Sequence, residues 1–76
     1  MNAMLSFTIS YDPLWRTLAT RKIHKIDLVK NGIITGNTLK RMRNCEPVSL
    51  NVIGNICVGL GVGVQDVVEF KVLGSV

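Results

Sequence analysis

Residues 23–46, IHKIDLVKNGIITGNTLKRMRNCE, are the stretch on which the fold turns. Residues 25–31 place Ile26, Leu28 and Val29 as core candidates, and Gly32 stops the helix because it takes the left-handed end conformation readily. Thr35 is a strong N-cap for a further helix over residues 36–44. Ile34 and Leu39 bracket that cap at the spacing of a hydrophobic staple. At about 100° per residue, Asn37, Lys40, Arg41 and Asn44 fall on one edge of this helix, at i, i+3, i+4 and i+7, while Leu39 and Met42 lie on the far side. The segment therefore predicts two short helices joined by the turn Asn31–Ile34. The second helix buries one edge and presents amides and cations on the other.

Charge gives that edge a partner. Eight of the nine Lys and Arg residues fall between Arg16 and Arg43, with Asp27 the only acid among them. The window carries about +7 and the rest of the chain about −3, the electrostatic footprint of a polyanion-binding face. The side chains on the edge suit the major groove of double-stranded DNA. Asn pairs bidentately with adenine, and Arg or Lys pairs with guanine O6 and N7. Two helices joined by a short Gly-containing turn, the second bearing such groups, make a helix-turn-helix over about residues 25–44.

Outward from this unit, residues 5–11 (LSFTISY) read as a short strand. Asp12 as N-cap and Pro13 at the first helical position start a helix over residues 13–22 that buries Leu14, Trp15, Leu18 and Ala19. Pro47 closes the central region. Ser49 caps a fourth helix that runs to Leu60 and ends at Gly61. Leu50, Ile53, Ile56, Cys57 and Leu60 form its core face, opposite Asn51 and Asn55. A fifth, short helix over residues 64–68 leads into a β-prone tail, residues 69–73. That tail can pair with residues 5–11 within the chain or between subunits. No repeat or linker divides the chain, so residues 1–76 read as one domain with its core in 9–70. Val52, Val58, Val62 and the tail valines exceed the needs of one small core, which points to a homodimer interface.

Other function classes fit poorly. Aromatics are limited to Phe7, Tyr11, Trp15 and Phe70, too few for a single-strand stacking platform. With Cys45, Cys57 and His24 as the only thiols and imidazole, the chain lacks four nitrogen or sulfur ligands for a structural zinc. No metal or other cofactor is expected. Two lone thiols fit a reducing, cytoplasmic compartment. The N-terminus, MNAMLSFTISYD, has neither the basic region nor the long apolar core of a signal peptide. Residues 48–64 carry no charge, but the amphipathic pattern and Gly59, Gly61 and Gly63 argue against a membrane span. His24 reads as a cap substitute, because no nucleophile, base and orienting group stand together and no enzyme is expected. Cys57 reads as a small core residue. GLGVGV, residues 59–64, follows a helix instead of a strand, so it reads as helix-end and turn residues and not as a phosphate loop.

Residues 23–46 resemble the helix-turn-helix of the Cro/repressor-type (XRE family) regulators. ISYDPLW at 9–15, VSLNVIGNIC at 48–57 and QDVVEF at 65–70 resemble its small single-domain subgroup. The resemblance implies a mainly α, five-helix repressor-like DNA-binding domain with short N- and C-terminal β-strands, the third helix reading the major groove. It places Lys25 at a phosphate contact. Thr35, Gly36, Asn37, Thr38 and Arg41 fall among the base-reading and backbone-contacting positions, and Lys40, Arg43 and Asn44 within reach of phosphates. Against the family pattern, the turn NGII is one residue longer than the commonest form and Gly36 removes a contact side chain. Cys45 stands at a loop position that is often Gly, and His24 replaces a hydroxyl cap.

The expectation is a sequence-specific transcriptional regulator that acts by occupying operator DNA, as a homodimer and without a small-molecule effector. The rival is an antitoxin-like protein-interaction module on the same fold.

Overall fold

The computed structural model describes residues 5–75. Residues 1–4, part of the stretch judged against a signal peptide, and Val76 lie outside the described residues. Strand β1 (Leu5–Ser10) is followed by helices α1 (Asp12–Thr20), α2 (Lys25–Lys30), α3 (Gly36–Arg43) and α4 (Leu50–Leu60). A 3-10 turn at Val64–Asp66 then leads to strand β2 (Glu69–Ser75).

Local chemistry sets the helix ends. The Thr35 hydroxyl accepts from the Thr38 N–H at 3.1 Å, and Ser49 accepts from the Val52 N–H at 3.3 Å. Each satisfies one of the unpaired amides that open a helix. At the other end, each helix closes on a residue in the left-handed region: Lys22 (φ 58°), Gly32 (φ 73°), Cys45 (φ 58°) and Gly61 (φ 68°). After them the N–H of Ile23 bonds to the Leu18 carbonyl, Ile33 to Leu28, Glu46 to Arg41 and Val62 to Cys57, all at 2.9 Å. This is the six-to-one bond of a Schellman turn.

The Cys45 position is thus a glycine position in geometry, as the family pattern suggested. An L-residue there is strained by roughly 1–2 kcal/mol, and glycine loses about 0.5–1 kcal/mol through its freer unfolded chain. Cys45→Gly is expected to stabilise by about 0.5–1 kcal/mol, raising the thermal midpoint by a few degrees. A lowered midpoint would mean that the exposed Cys45 side chain makes a compensating contact.

Tyr11, Leu14, Leu18, Leu28, Ile34, Leu39, Met42, Ile53, Ile56 and Val67 form the core. Cys57, Val52, Val62 and Leu60 pack partly buried against it. Three side chain-to-backbone bonds tie the elements across it. Tyr11 donates to the Glu46 carbonyl at 2.6 Å, Thr17 donates to the Asp66 carbonyl at 3.1 Å, and Arg21 donates to the Leu60 carbonyl. Burial, with Cys45 nearby, raises the Tyr11 phenol above its ordinary value, so it remains a donor.

Several expectations change. The fifth helix is a single 3-10 turn. Val67 follows it with φ stretched to −120° and is fully buried, and β2 takes over two residues later at Glu69, which leaves no room for a longer helix. α1 begins one residue early, with Tyr11 at the N-cap and Asp12 inside the first turn. The Asp12 carboxylate is drawn instead to Lys71 of β2, at 2.9 Å. The hydrogen bond from Lys71, and then its charge, holds the Asp12 carboxyl below its ordinary value. α1 also ends two residues short of the expected limit, where Lys22 turns left-handed. Trp15 is only partly buried and Ala19 is exposed. Ile26 is exposed too, because the six-residue α2 gives the core position to Leu28. Leu50 is 85% exposed, because the first turn of α4 overhangs the core that Ile53 and Ile56 fill.

β1 and β2 pair antiparallel within the chain, with Phe7 opposite Val72 and Ile9 opposite Phe70. Alternation puts these four on one face. Ile9 packs on the core. Phe7 and Phe70 meet edge to face at 5.5 Å and remain exposed, as do Val72 and Leu73. Among the described residues no helix is long and apolar enough to cross a membrane.

Candidate nucleic-acid interface

α2 starts without a hydroxyl cap. The Asp27 carboxylate supplies the bond instead, accepting from the His24 N–H at 3.0 Å. This is the reciprocal half of a capping box. His24 is exposed and occupies the N-cap position, but its imidazole makes no capping hydrogen bond. From Gly32 the chain turns through Ile33 and Ile34, and Ile34 is buried. Thr35 then opens α3.

The buried side of α3 is Leu39 and Met42. Asn37, Lys40, Arg41, Arg43, Asn44 and Gly36 are exposed. Thr35 and Thr38 are less free. Thr35 Oγ1 donates to Thr38 Oγ1 at 3.0 Å as well as capping the helix. A Cβ on Gly36 would meet nothing within 4 Å, so the fold itself does not require glycine there.

Five of the nine site residues divide between two grooves that flank α3. Asn37, Thr38 and Arg41 line one with Val48 and Ser49, which lead into α4, and Val52 in its first turn. Lys25 and Arg43 line the other with Trp15, Lys22 and His24. At about 100° per residue, Lys40 and Asn44 lie on the outward edge between those flanks. Ser49 was legible only as a cap. Its place beside Arg41 depends on how α4 docks, which periodicity does not encode. Lys22 and Trp15 were legible only as a charge and a core residue.

Electrostatically the face is uncompensated. The one ion pair among the described residues is Lys71–Asp12, so none of the eight cations between Arg16 and Arg43 is salt-bridged. The arrangement offers a convex helix edge of an amide and a cation, flanked by one groove that carries Arg41 and another that carries Lys22, Lys25 and Arg43, on an apolar support. That shape and charge suit the groove and phosphates of a duplex.

Comparison with known proteins agrees. The family profile of the Cro/C1-type HTH DNA-binding domain matches residues 13–72. The fold is similar to the crystal structure of the transcriptional regulator VanUg, with a TM-score of 0.84 and 28% identity over 91% of this chain and 92% of that one. No curated protein matches the chain. The sequence, the two-helix unit and the profile match together place the chain in the family of Cro/C1-type helix-turn-helix DNA-binding domains.

Proposed function

We propose that the protein is a sequence-specific transcriptional regulator that reads the major groove with α3 and acts by occupying its operator. The observation that carries this is the exposed side of α3, its outward edge together with the flank beside it. Asn37, Lys40, Arg41 and Asn44 are all exposed on a helix anchored from behind by the buried Leu39 and Met42. The likeness to a transcriptional regulator supports the same reading. In it Asn37 and Arg41 contact base edges, while Lys25, Lys40, Arg43 and Asn44 contact phosphates. Thr35 and Thr38 order the helix start beside the backbone. The bare Gly36 lets the DNA approach closely.

Phosphate contacts hold register without reading sequence. Lys25→Ala is therefore expected to weaken binding about equally on operator and random duplexes. The slope of log K against log salt should shrink by about 0.9. A large affinity loss at unchanged slope, with circular dichroism unaltered, would remove Lys25 from the phosphate contacts.

The regulator acts as a homodimer on a two-half-site operator, as helix-turn-helix proteins commonly do. The exposed Phe7, Phe70, Val72 and Leu73 on the β-ribbon support this, because a two-stranded sheet is marginal alone and gains from a second packed surface. Val72→Glu or Leu73→Glu is expected to shift sedimentation at micromolar concentration from dimer towards monomer. Either change should weaken binding to two half-sites more than to one. A monomeric wild type, with DNA affinity untouched by these changes, would refute the ribbon as the interface.

A further inference from the structure

The groove lined by Trp15, Lys22, His24, Lys25, Ile26 and Arg43 has a volume of about 630 Å³ and brings together residues from α1, the following turn, α2 and α3. Three of its side chains carry permanent positive charge and none carries negative charge. The Lys25 ammonium sits 4.3 Å from the centroid of the Trp15 ring. From these observations we infer that the groove is a seat for one backbone phosphate of DNA, shared by Lys22, Lys25 and Arg43, in which Trp15 is a positioning residue holding the Lys25 ammonium in place. The inference rests on the assignment of Lys25 to phosphate and adds to it Lys22 and Trp15.

A lysine ammonium is a point charge on a flexible four-carbon stem, so fixing it on a phosphate costs rotamer entropy. An aromatic face removes part of that cost before DNA arrives. Its attraction for an ammonium occupies one side of the group, and the ammonium has three N–H donors. The remaining donors can serve a phosphate oxygen in the open groove. The ring therefore restricts Lys25 without neutralising it. Trp15 packs partly buried against the core, which fixes the ring that the Lys25 ammonium meets. Lys22 is set beside it by the left-handed turn that ends α1, at φ 58°. Arg43 comes from the last residue of α3, which links the seat rigidly to the reading helix.

A double-mutant cycle on duplex DNA separates positioning from a general packing role. Trp15→Leu is expected to weaken binding about two- to tenfold, the cost of immobilising one long side chain, while leaving the salt slope unchanged because no charge is lost. In a Lys25→Ala background the same change should have almost no effect. Trp15→Tyr should restore part of the loss. Lys22→Ala should reduce the salt slope by about 0.9.

Equal losses from Trp15→Leu in both backgrounds would overturn the positioning role while leaving Lys25 as a phosphate contact. An unaltered affinity for Lys25→Ala alone would instead overturn the parent assignment. Trp15 is the single tryptophan, so its emission reports on the unmodified protein should a variant fail to fold. Adding random-sequence duplex should shift that emission, and no shift at saturation would contradict the seat. Saturable binding of inorganic phosphate at matched ionic strength, with the same shift, would make the groove a free-anion site and overturn its assignment to the duplex.

Discussion

Ile56→Ala is expected to destabilise the fold by about 2–5 kcal/mol, the range for truncating a buried aliphatic side chain. Ile56 has 0% exposure in the middle of α4. A Cβ on Gly59, less than one turn further along, would lie 2.9 Å from Ile33 Cδ1, so α4 packs closely on the turn between α2 and α3. Ile56 belongs to the same buried cluster as Leu28, Ile34, Leu39 and Met42, so its truncation weakens the core on which the helix-turn-helix rests. A domain of this size rarely draws more than about 3–5 kcal/mol from its core, so the variant should stand at the edge of unfolding. Its urea midpoint should fall steeply, and its thermal midpoint should drop by at least about 10 °C. A drop of only one or two degrees would mean that α4 is not the support of the helix-turn-helix.

Asn37→Ala and Arg41→Ala should show the opposite pattern. Both residues are exposed and lie one turn apart on α3. Neither side chain enters a hydrogen bond or ion pair among the described residues. Stability should therefore change by no more than about 0.5 kcal/mol. Specific binding should weaken by about 1–3 kcal/mol for each lost bidentate contact, with preference relaxing at one operator position rather than everywhere. Non-specific binding should fall slightly for Asn37→Ala and further for Arg41→Ala, which also loses a charge. If both variants kept the wild-type preference, α3 would not be the reader. An antitoxin-like role would then account better for the fold.

The features legible in the sequence were those set by neighbours along the chain. Thr35 and Ser49 cap α3 and α4 as expected, because a cap needs only a hydroxyl and an amide three residues on. Gly32 and Gly61 end their helices for a similarly local reason. The exposed edge of α3 was also legible, since Leu39 and Met42 fix its orientation by periodicity alone.

What depended on docking was not legible. Periodicity correctly put Leu50 on the same face as Ile53 and Ile56, but it says nothing about how far the core extends along that face. The expected capping role of Asp12 lost to Lys71, fifty-nine residues away. The placement of Lys25 over Trp15 arises only when the left-handed turn at Lys22 brings the first residue of α2 beside the Trp15 ring. The groove that holds Lys25 and Arg43 shares that origin, whereas the groove beside Asn37 and Arg41 depends on how α4 docks.

Selection of bound sequences from a pool of random duplex DNA tests the central claim most directly, run in parallel for the wild type and the Asn37→Ala, Arg41→Ala double variant. The wild type should enrich a defined motif, and the folded double variant should enrich a motif degraded at the positions that α3 reads. Identical motifs from the two proteins, or no enriched motif from the wild type, would contradict sequence reading by α3.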